Sequence, residues 1–214
     1  NNKVMSELHG KPMLAYSIDN LKQAGIETIV VVVGFAKESI MNYFGNKILY
    51  AYQNEPTGTA HAVASGLSIL PKNIEHVLSV YGDDSYLYSA ELLKRLINIH
   101  NSTNADITLL TVEMDDPTGL GRIIRDGQGK VVGIVEEKVA NGEQKNIREI
   151  NTGCFIFNRK FLEEFLPKIE KNETAQEYYL TDIIEVAVKN QKKIEAFAAG
   201  KIPWRGVNRP EELE

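Results

Sequence analysis

Cysteine is nearly absent from this sequence. Cys154 stands alone, so no intramolecular disulfide framework holds the fold, and a single thiol suits a reducing cytoplasm. It lies in the apolar run Cys154-Phe155-Ile156-Phe157 and reads as a core thiol rather than a nucleophile. Long apolar runs are missing too: none approaches the ~18 residues a membrane helix needs, and Asn1-Asn2-Lys3-Val4-Met5 has no signal-peptide character. The four histidines (His9, His61, His76 and His100) show no paired ligand spacing, which argues against zinc. No internal repeat occurs, and no hexapeptide pattern announces a β-helix. Positive charge is in deficit, with 24 Lys and Arg against 29 Asp and Glu for a net charge of -5. That argues against a nucleic-acid coat or a membrane-surface protein. Polyanionic small ligands remain open, because magnesium and a few placed cations offset charge locally.

The 214 residues are 43% hydrophobic and 25% charged, enough to bury a substantial core in one large α/β unit or a unit with a small elaboration. Apolar residues at helical spacing predict a helix over Pro12 to Ala24, ending at Gly25. The β-branched run Thr28 to Val33 reads as a strand buried on both faces. The pattern then predicts a helix over Ala36–Phe44, a strand over Lys47–Tyr52, a helix over Thr59–Ile69, a strand over His76–Tyr81 and a helix over Ala90–His100. Such alternation predicts a mainly parallel, doubly wound (Rossmann-like) α/β sheet. The second half is richer in strands, expected at Ile107–Glu113, Gly121–Arg125, Val131–Glu136, Asn151–Asn158 and Ile194–Ala198. Helices are expected over Lys160–Ile169 and Leu180–Lys189.

In open α/β sheets ligands bind at the carboxyl ends of the strands, and three polar clusters fall there. Tyr81-Gly82-Asp83 follows an apolar strand. A carboxylate there, beside a glycine that lets substrate approach, is placed to hold magnesium on a phosphate, although aspartate is also an ordinary turn residue. In Gln53 to His61, Gly58 and Thr59 open a helix whose N–H groups suit an electronegative ligand edge, and the Gln53 amide complements a nucleobase edge. The plainer alternative is an N-capped turn, with His61 structural. The third cluster joins Gly119-Leu120-Gly121-Arg122, Glu136, Lys138 and Asn151-Thr152-Gly153. Its glycines let the backbone lie against a ring, while Glu and Asn can bond sugar hydroxyls and amides; a set of hairpin turns is the alternative.

Order and spacing add more. Lys11-Pro12-Met13, Gly58-Thr59-Ala60-His61-Ala62, Tyr81-Gly82-Asp83, Asp116 through Ile123, Glu149-Ile150-Asn151-Thr152-Gly153, Glu177 through Asp182 and Gly206-Val207-Asn208 occur in this sequence. The set resembles the sugar-1-phosphate nucleotidylyltransferase family. Within it the set closely resembles the uridylyltransferase domain of the bacterial bifunctional N-acetylglucosamine-1-phosphate uridylyltransferase/glucosamine-1-phosphate acetyltransferase. The resemblance covers essentially residues 1–214, read as one nucleotidyltransferase domain with no acetyltransferase β-helix. It implies uridylyl transfer from UTP to N-acetylglucosamine-1-phosphate, for UDP-N-acetylglucosamine and cell-wall peptidoglycan synthesis. It further implies that Lys3 contacts phosphate; that Gln53, Gly58 and Thr59 hold uracil; and that Asp83 and Asn208 bind Mg2+. By the same resemblance Tyr81 and Gly82 line the sugar-nucleotide site, while Gly121, Glu136, Asn151 and Tyr178 face the sugar. The catalytic pair is then Lys3 and Asp83.

The family begins with a strand and a glycine-rich loop, roughly L-A-A-G-x-G-T-R-M, just before the segment holding Lys3. Neither is in these residues, so the sequence is expected to be an incomplete version of a longer protein. Without that strand the middle of the sheet is expected to carry unpaired backbone. Asp84-Ser85 stands where the family has an apolar residue and proline, adding a carboxylate near the metal, and Arg209-Pro210-Glu211-Glu212 resembles stand-alone members. Two alternatives follow: another sugar-1-phosphate as substrate, or a regulatory paralogue that binds sugar nucleotides without turnover.

Overall fold

The computed structural model describes residues 2–34, 36–173 and 175–202. Its strands are β1 (Glu7–Leu8), β2 (Lys11–Pro12), β3 (Val30–Val33), β4 (Leu49–Tyr52), β5 (His76–Ser79), β6 (Ile107–Glu113), β7 (Arg122–Arg125), β8 (Val131–Val135), β9 (Glu149–Asn158) and β10 (Ile194–Ala198). The helices are α1 (Met13–Gln23), α2 (Glu38–Phe44), α3 (Thr59–Ile69), α4 (Ala90–Thr103), α5 (Gly142–Lys145), α6 (Arg159–Phe165) and α7 (Ile183–Lys189). None of the described helices is long and apolar enough to cross a membrane.

The expected α/β architecture is present, and its pairing is mixed. β3 lies parallel to β4 and β10 parallel to β6, whereas β9 runs antiparallel to β6, β5 and β7, and β7 runs antiparallel to β8. β9 is the organising strand. One edge pairs with β6 along most of its length; the other carries β5 at Phe155–Asn158 and touches β7 at Ile150. Its side chains alternate between faces, as a strand's must. Cys154 and Ile156 join a core with Leu14, Ile18, Leu93 and Leu96 of α1 and α4. Phe155 and Phe157 join a second core with Phe161, Leu162, Ile183 and Ile184 of α6 and α7. Helices thus cover both faces, the doubly wound arrangement. Cys154 is fully buried, and burial pushes its thiol up, which suits a core thiol.

One expectation needs correction. β3 is not buried on both faces: Val30, Val31 and Val32 are only partly covered. They border an apolar cavity of about 590 Å³, whose opposite wall is Val77 to Val80, with α1 and α3 closing it. Among the described strands β3 pairs only with β4 and β5 only with β9, so two sheet edges carry unpaired backbone along this slot. The expected break in the sheet therefore lies between β3 and β5.

Element ends also differ from the sequence reading. The helix expected over Lys160–Ile169 shortens to α6 and a 3-10 turn at Leu166–Lys168, because Pro167 lacks the N–H that a continuing helix needs. A 3-10 turn at Leu180–Asp182 likewise precedes α7. The short pair β1 and β2 was not expected; it closes at His9-Gly10, both at positive φ.

Candidate active site

β5 ends by delivering Tyr81-Gly82-Asp83-Asp84 to the carboxyl edge of the sheet, and the 3-10 turn Lys3–Met5 lies over that loop. A Cβ on Gly82 would come within 3.2 Å of the Val4 side chain, so glycine allows this close approach. The approach brings the Lys3 ammonium 3.0 Å from the Asp83 carboxylate, both about two-fifths exposed. Next to it, burial and the Asp83 charge push Asp84 up to about 7, against the pull of Lys3. Two adjacent carboxylates thus face one cation.

Tyr81 turns inward. Burial, with the Glu136 charge next, pushes its phenol up to about 12, and a hydrogen bond to the Thr59 side chain opposes this. Its ring occupies the place of a side chain at Gly153, where a Cβ would sit 2.3 Å from ring carbons. Gly153 has φ +76°, so its backbone also favours glycine. Here β9 leaves β5 and turns towards β7.

Thr59 opens α3, and its hydroxyl accepts from the Leu180 N–H at 2.9 Å. Gly58, at φ +113°, lies so close to the Tyr178 backbone that a Cβ would be 2.4 Å from the carbonyl oxygen. The Tyr178 main chain is bonded to Thr57 and Ala60 on either side of it. Tyr178 therefore straps the start of α3. The Gln53 side chain reaches the same turn, donating to the Gly58 carbonyl at 3.0 Å.

On the far side the Glu136 carboxylate is raised by burial and accepts from the Thr181 hydroxyl at 3.3 Å. A Cβ on Gly121 would touch both its oxygens at 3.4 Å. Asn151 donates its N–H to the Gly121 carbonyl at 2.8 Å, while its side-chain oxygen accepts from the Gly153 N–H.

Contacts thus link Lys3, Gln53, Gly58, Thr59, Tyr81, Gly82, Asp83, Gly121, Glu136 and Asn151 at the strand ends through Tyr81 and Gly153, with Gly121 and Asn151 buried. Asn208 lies outside the described residues. Sequence reasoning did not show the contacts among these residues: Lys3 and Asp83, 80 positions apart, form an ion pair, and His61, read as structural, contacts both Gln53 and Thr57. The histidines hold a further surprise. His76 and His100 meet at 3.0 Å despite their sequence separation, and the other ring nitrogen of His100 is bonded to Thr108. No group of three or more His, Cys, Asp or Glu placed to hold a metal occurs among the described residues.

Comparison with known proteins places the chain in a family. The Nucleotidyl transferase family model matches residues 2–213. The Bifunctional protein GlmU of Symbiobacterium thermophilum is 42% identical over 196 residues, covering 91% of this chain and 41% of that protein. Its namesake in Enterococcus faecalis is 43% identical, with shares of 91% and 42%. The chain therefore spans about two-fifths of the length of these relatives. Among solved structures, HddC from Yersinia pseudotuberculosis superposes with a TM-score of 0.72 at 22% identity, covering 99% of this chain and 87% of that one. A Bacillus anthracis protein solved with a sucrose gives a TM-score of 0.75 at 18% identity, covering 92% and 78%. These two share the fold. With its family model matched over nearly its full length, the chain belongs to the nucleotidyl transferase family.

Proposed function

We propose that the protein transfers a uridylyl group from UTP to N-acetylglucosamine-1-phosphate, releasing UDP-N-acetylglucosamine and pyrophosphate in the cytoplasm. The observation that supports this best is the Lys3–Asp83 pair at the end of β5, linked by contacts through Tyr81 to the residues around Gln53, Glu136 and Asn151.

The attacking group is already a phosphate oxyanion, so the reaction needs no general base. The chain's task is to hold two polyanions in line and to meet the charge that develops. Lys3 offers a cation to the phosphates. Gln53, with the backbone at Gly58 and Thr59, holds the base, and Tyr81 and Gly82 line the nucleotide. Gly121 leaves room for the sugar ring, while Glu136 and Asn151 bond its hydroxyls and amide. Asp83 fits a magnesium site: it is partly exposed, one oxygen is engaged by Lys3, and magnesium commonly takes one or two carboxylates plus substrate phosphates. When bound by Asp83 and Asn208, magnesium would neutralise charge on the phosphates. No covalent enzyme intermediate is required.

The test is pyrophosphate release by the full-length protein across sugar-1-phosphates and nucleotides. N-acetylglucosamine-1-phosphate with UTP should be turned over best; equal or better turnover of glucose-1-phosphate overturns the sugar assignment. Asp83→Ala should lower magnesium-dependent synthesis by about a hundredfold or more. Near-normal synthesis by that variant removes Asp83 from the metal site.

A further inference from the structure

Gln53 leaves the end of β4 with its N–H bonded to the Val33 carbonyl, which continues the β3·β4 ladder and fixes where its side chain starts. The side-chain amide then faces the first turn of α3. Its nitrogen donates to the Gly58 carbonyl at 3.0 Å and lies 3.3 Å from His61 Nδ1. Thr57 Oγ1 approaches the same ring nitrogen at 2.6 Å.

An amide nitrogen has two hydrogens to give and no lone pair to accept with. Both hydrogens face acceptors when His61 carries its proton on Nε2 and leaves Nδ1 bare; the single Nδ1 lone pair is then shared between the Thr57 hydroxyl, donating at 2.6 Å, and the Gln53 N–H at 3.3 Å. Turning the amide over would set its oxygen against a carbonyl and against a ring lone pair, two repulsive contacts in place of two bonds. The amide is therefore held one way round, and Oε1 is its only end without a partner among the described residues. An outward acceptor selects an N–H donor. Uracil and thymine present one at N3, whereas cytosine presents an acceptor there.

Building on the uridylyl-transfer reading, we propose that His61 is a positioning residue: it orients the Gln53 amide so that the site takes a pyrimidine bearing an N3–H and rejects cytosine. Gly58 provides one anchor from the main chain and His61 the second, so base selection depends on a ring that need not touch the base.

The test compares UTP with CTP in the full-length wild type, His61→Leu and His61→Gln, by kcat and KM for synthesis and by equilibrium binding of UMP and CMP. His61→Leu should raise KM for UTP about tenfold with kcat changed less than threefold, and lower the UTP-to-CTP preference about tenfold. His61→Gln, which restores an acceptor, should recover most of that preference. A preference unchanged in His61→Leu, or kcat lost equally with both nucleotides, overturns the proposal in favour of a purely structural histidine. The imidazole nitrogen shifts of the wild type give a check that needs no variant: Nδ1 should be unprotonated, and a proton on Nδ1 overturns the proposal. Wild-type protein that binds UMP over CMP without making sugar nucleotide sinks the transfer reading alone. Wild-type protein with no preference between them sinks the orienting role.

Discussion

Gly153 shows how much one residue controls. The Tyr81 ring fills the space a Cβ would need, and the backbone sits at positive φ, so Gly153→Ala meets both a clash and local strain. We expect a loss of about 2 kcal/mol or more in urea unfolding, and a larger fall in synthesis than the lost stability accounts for, because Tyr81 must move. Arg122 makes a similar case. Its guanidinium is almost completely buried and lies 2.6 Å from the Glu137 carboxylate, donating also to the Leu120 carbonyl. Arg122→Leu should lower the urea midpoint, because the Glu137 carboxylate loses its partner and the Leu120 carbonyl its donor. At this scale the sequence nominated residues and was silent about their partners. Asp83 could be singled out as a carboxylate following an apolar strand, and Glu136 as a group able to bond sugar hydroxyls, each with an ordinary turn as the alternative. Nothing in the spacing showed that Lys3 would cover Asp83, or that the Gln53 amide would rest on His61. Those contacts exist only once loops from separate elements meet.

Elements that read alike in sequence behave differently once paired. An apolar β-branched run signals burial on both faces but not the direction of its neighbour. For that reason the antiparallel course of β9 was not legible, although its residues were. The placement of His76 on β5 and His100 on α4 also follows from packing, and it has a measurable consequence. Burial, with the His76 charge next, pushes His100 down to about 4, below the ordinary histidine value. The unfolded chain therefore binds more protons than the native one between about pH 6.5 and 4, so stability present above that window is lost as pH falls through it. The loss should amount to at most about 3 kcal/mol. Denaturant midpoints followed from pH 7 to 4 should show it, and His100→Gln should flatten that slope; an unchanged slope would assign the acid sensitivity elsewhere.

For the whole molecule, the slot between β3 and β5 is the dominant feature. Two edges with unpaired backbone border an apolar cavity of about 590 Å³, a volume that side chains of one more strand would fill. Joining an extended β-branched segment and a glycine-rich loop ahead of Lys3 should raise the thermal midpoint by roughly 4–8 °C for each 2 kcal/mol gained. Dyes that report exposed apolar surface should lose signal in the joined protein. This gap was legible before any coordinates, because the resemblance specified an extra strand in the centre of the sheet. Its cavity walls were not, since half-covered valines read from sequence as fully covered ones. The slot should also divide the chain's native fluctuations. β3 and β4 are held to the rest by α1, α3 and their loops, whereas β6 and β9 are laced together along most of their length. Backbone amides of Val30–Val33 and Tyr50–Tyr52 should therefore exchange with solvent deuterium through a partial opening that leaves β6 and β9 protected. Gln53 follows β4 on one side of the slot and Asp83 follows β5 on the other. A nucleotide spanning the two would act as a clasp, slowing that exchange most strongly in β3 and β4.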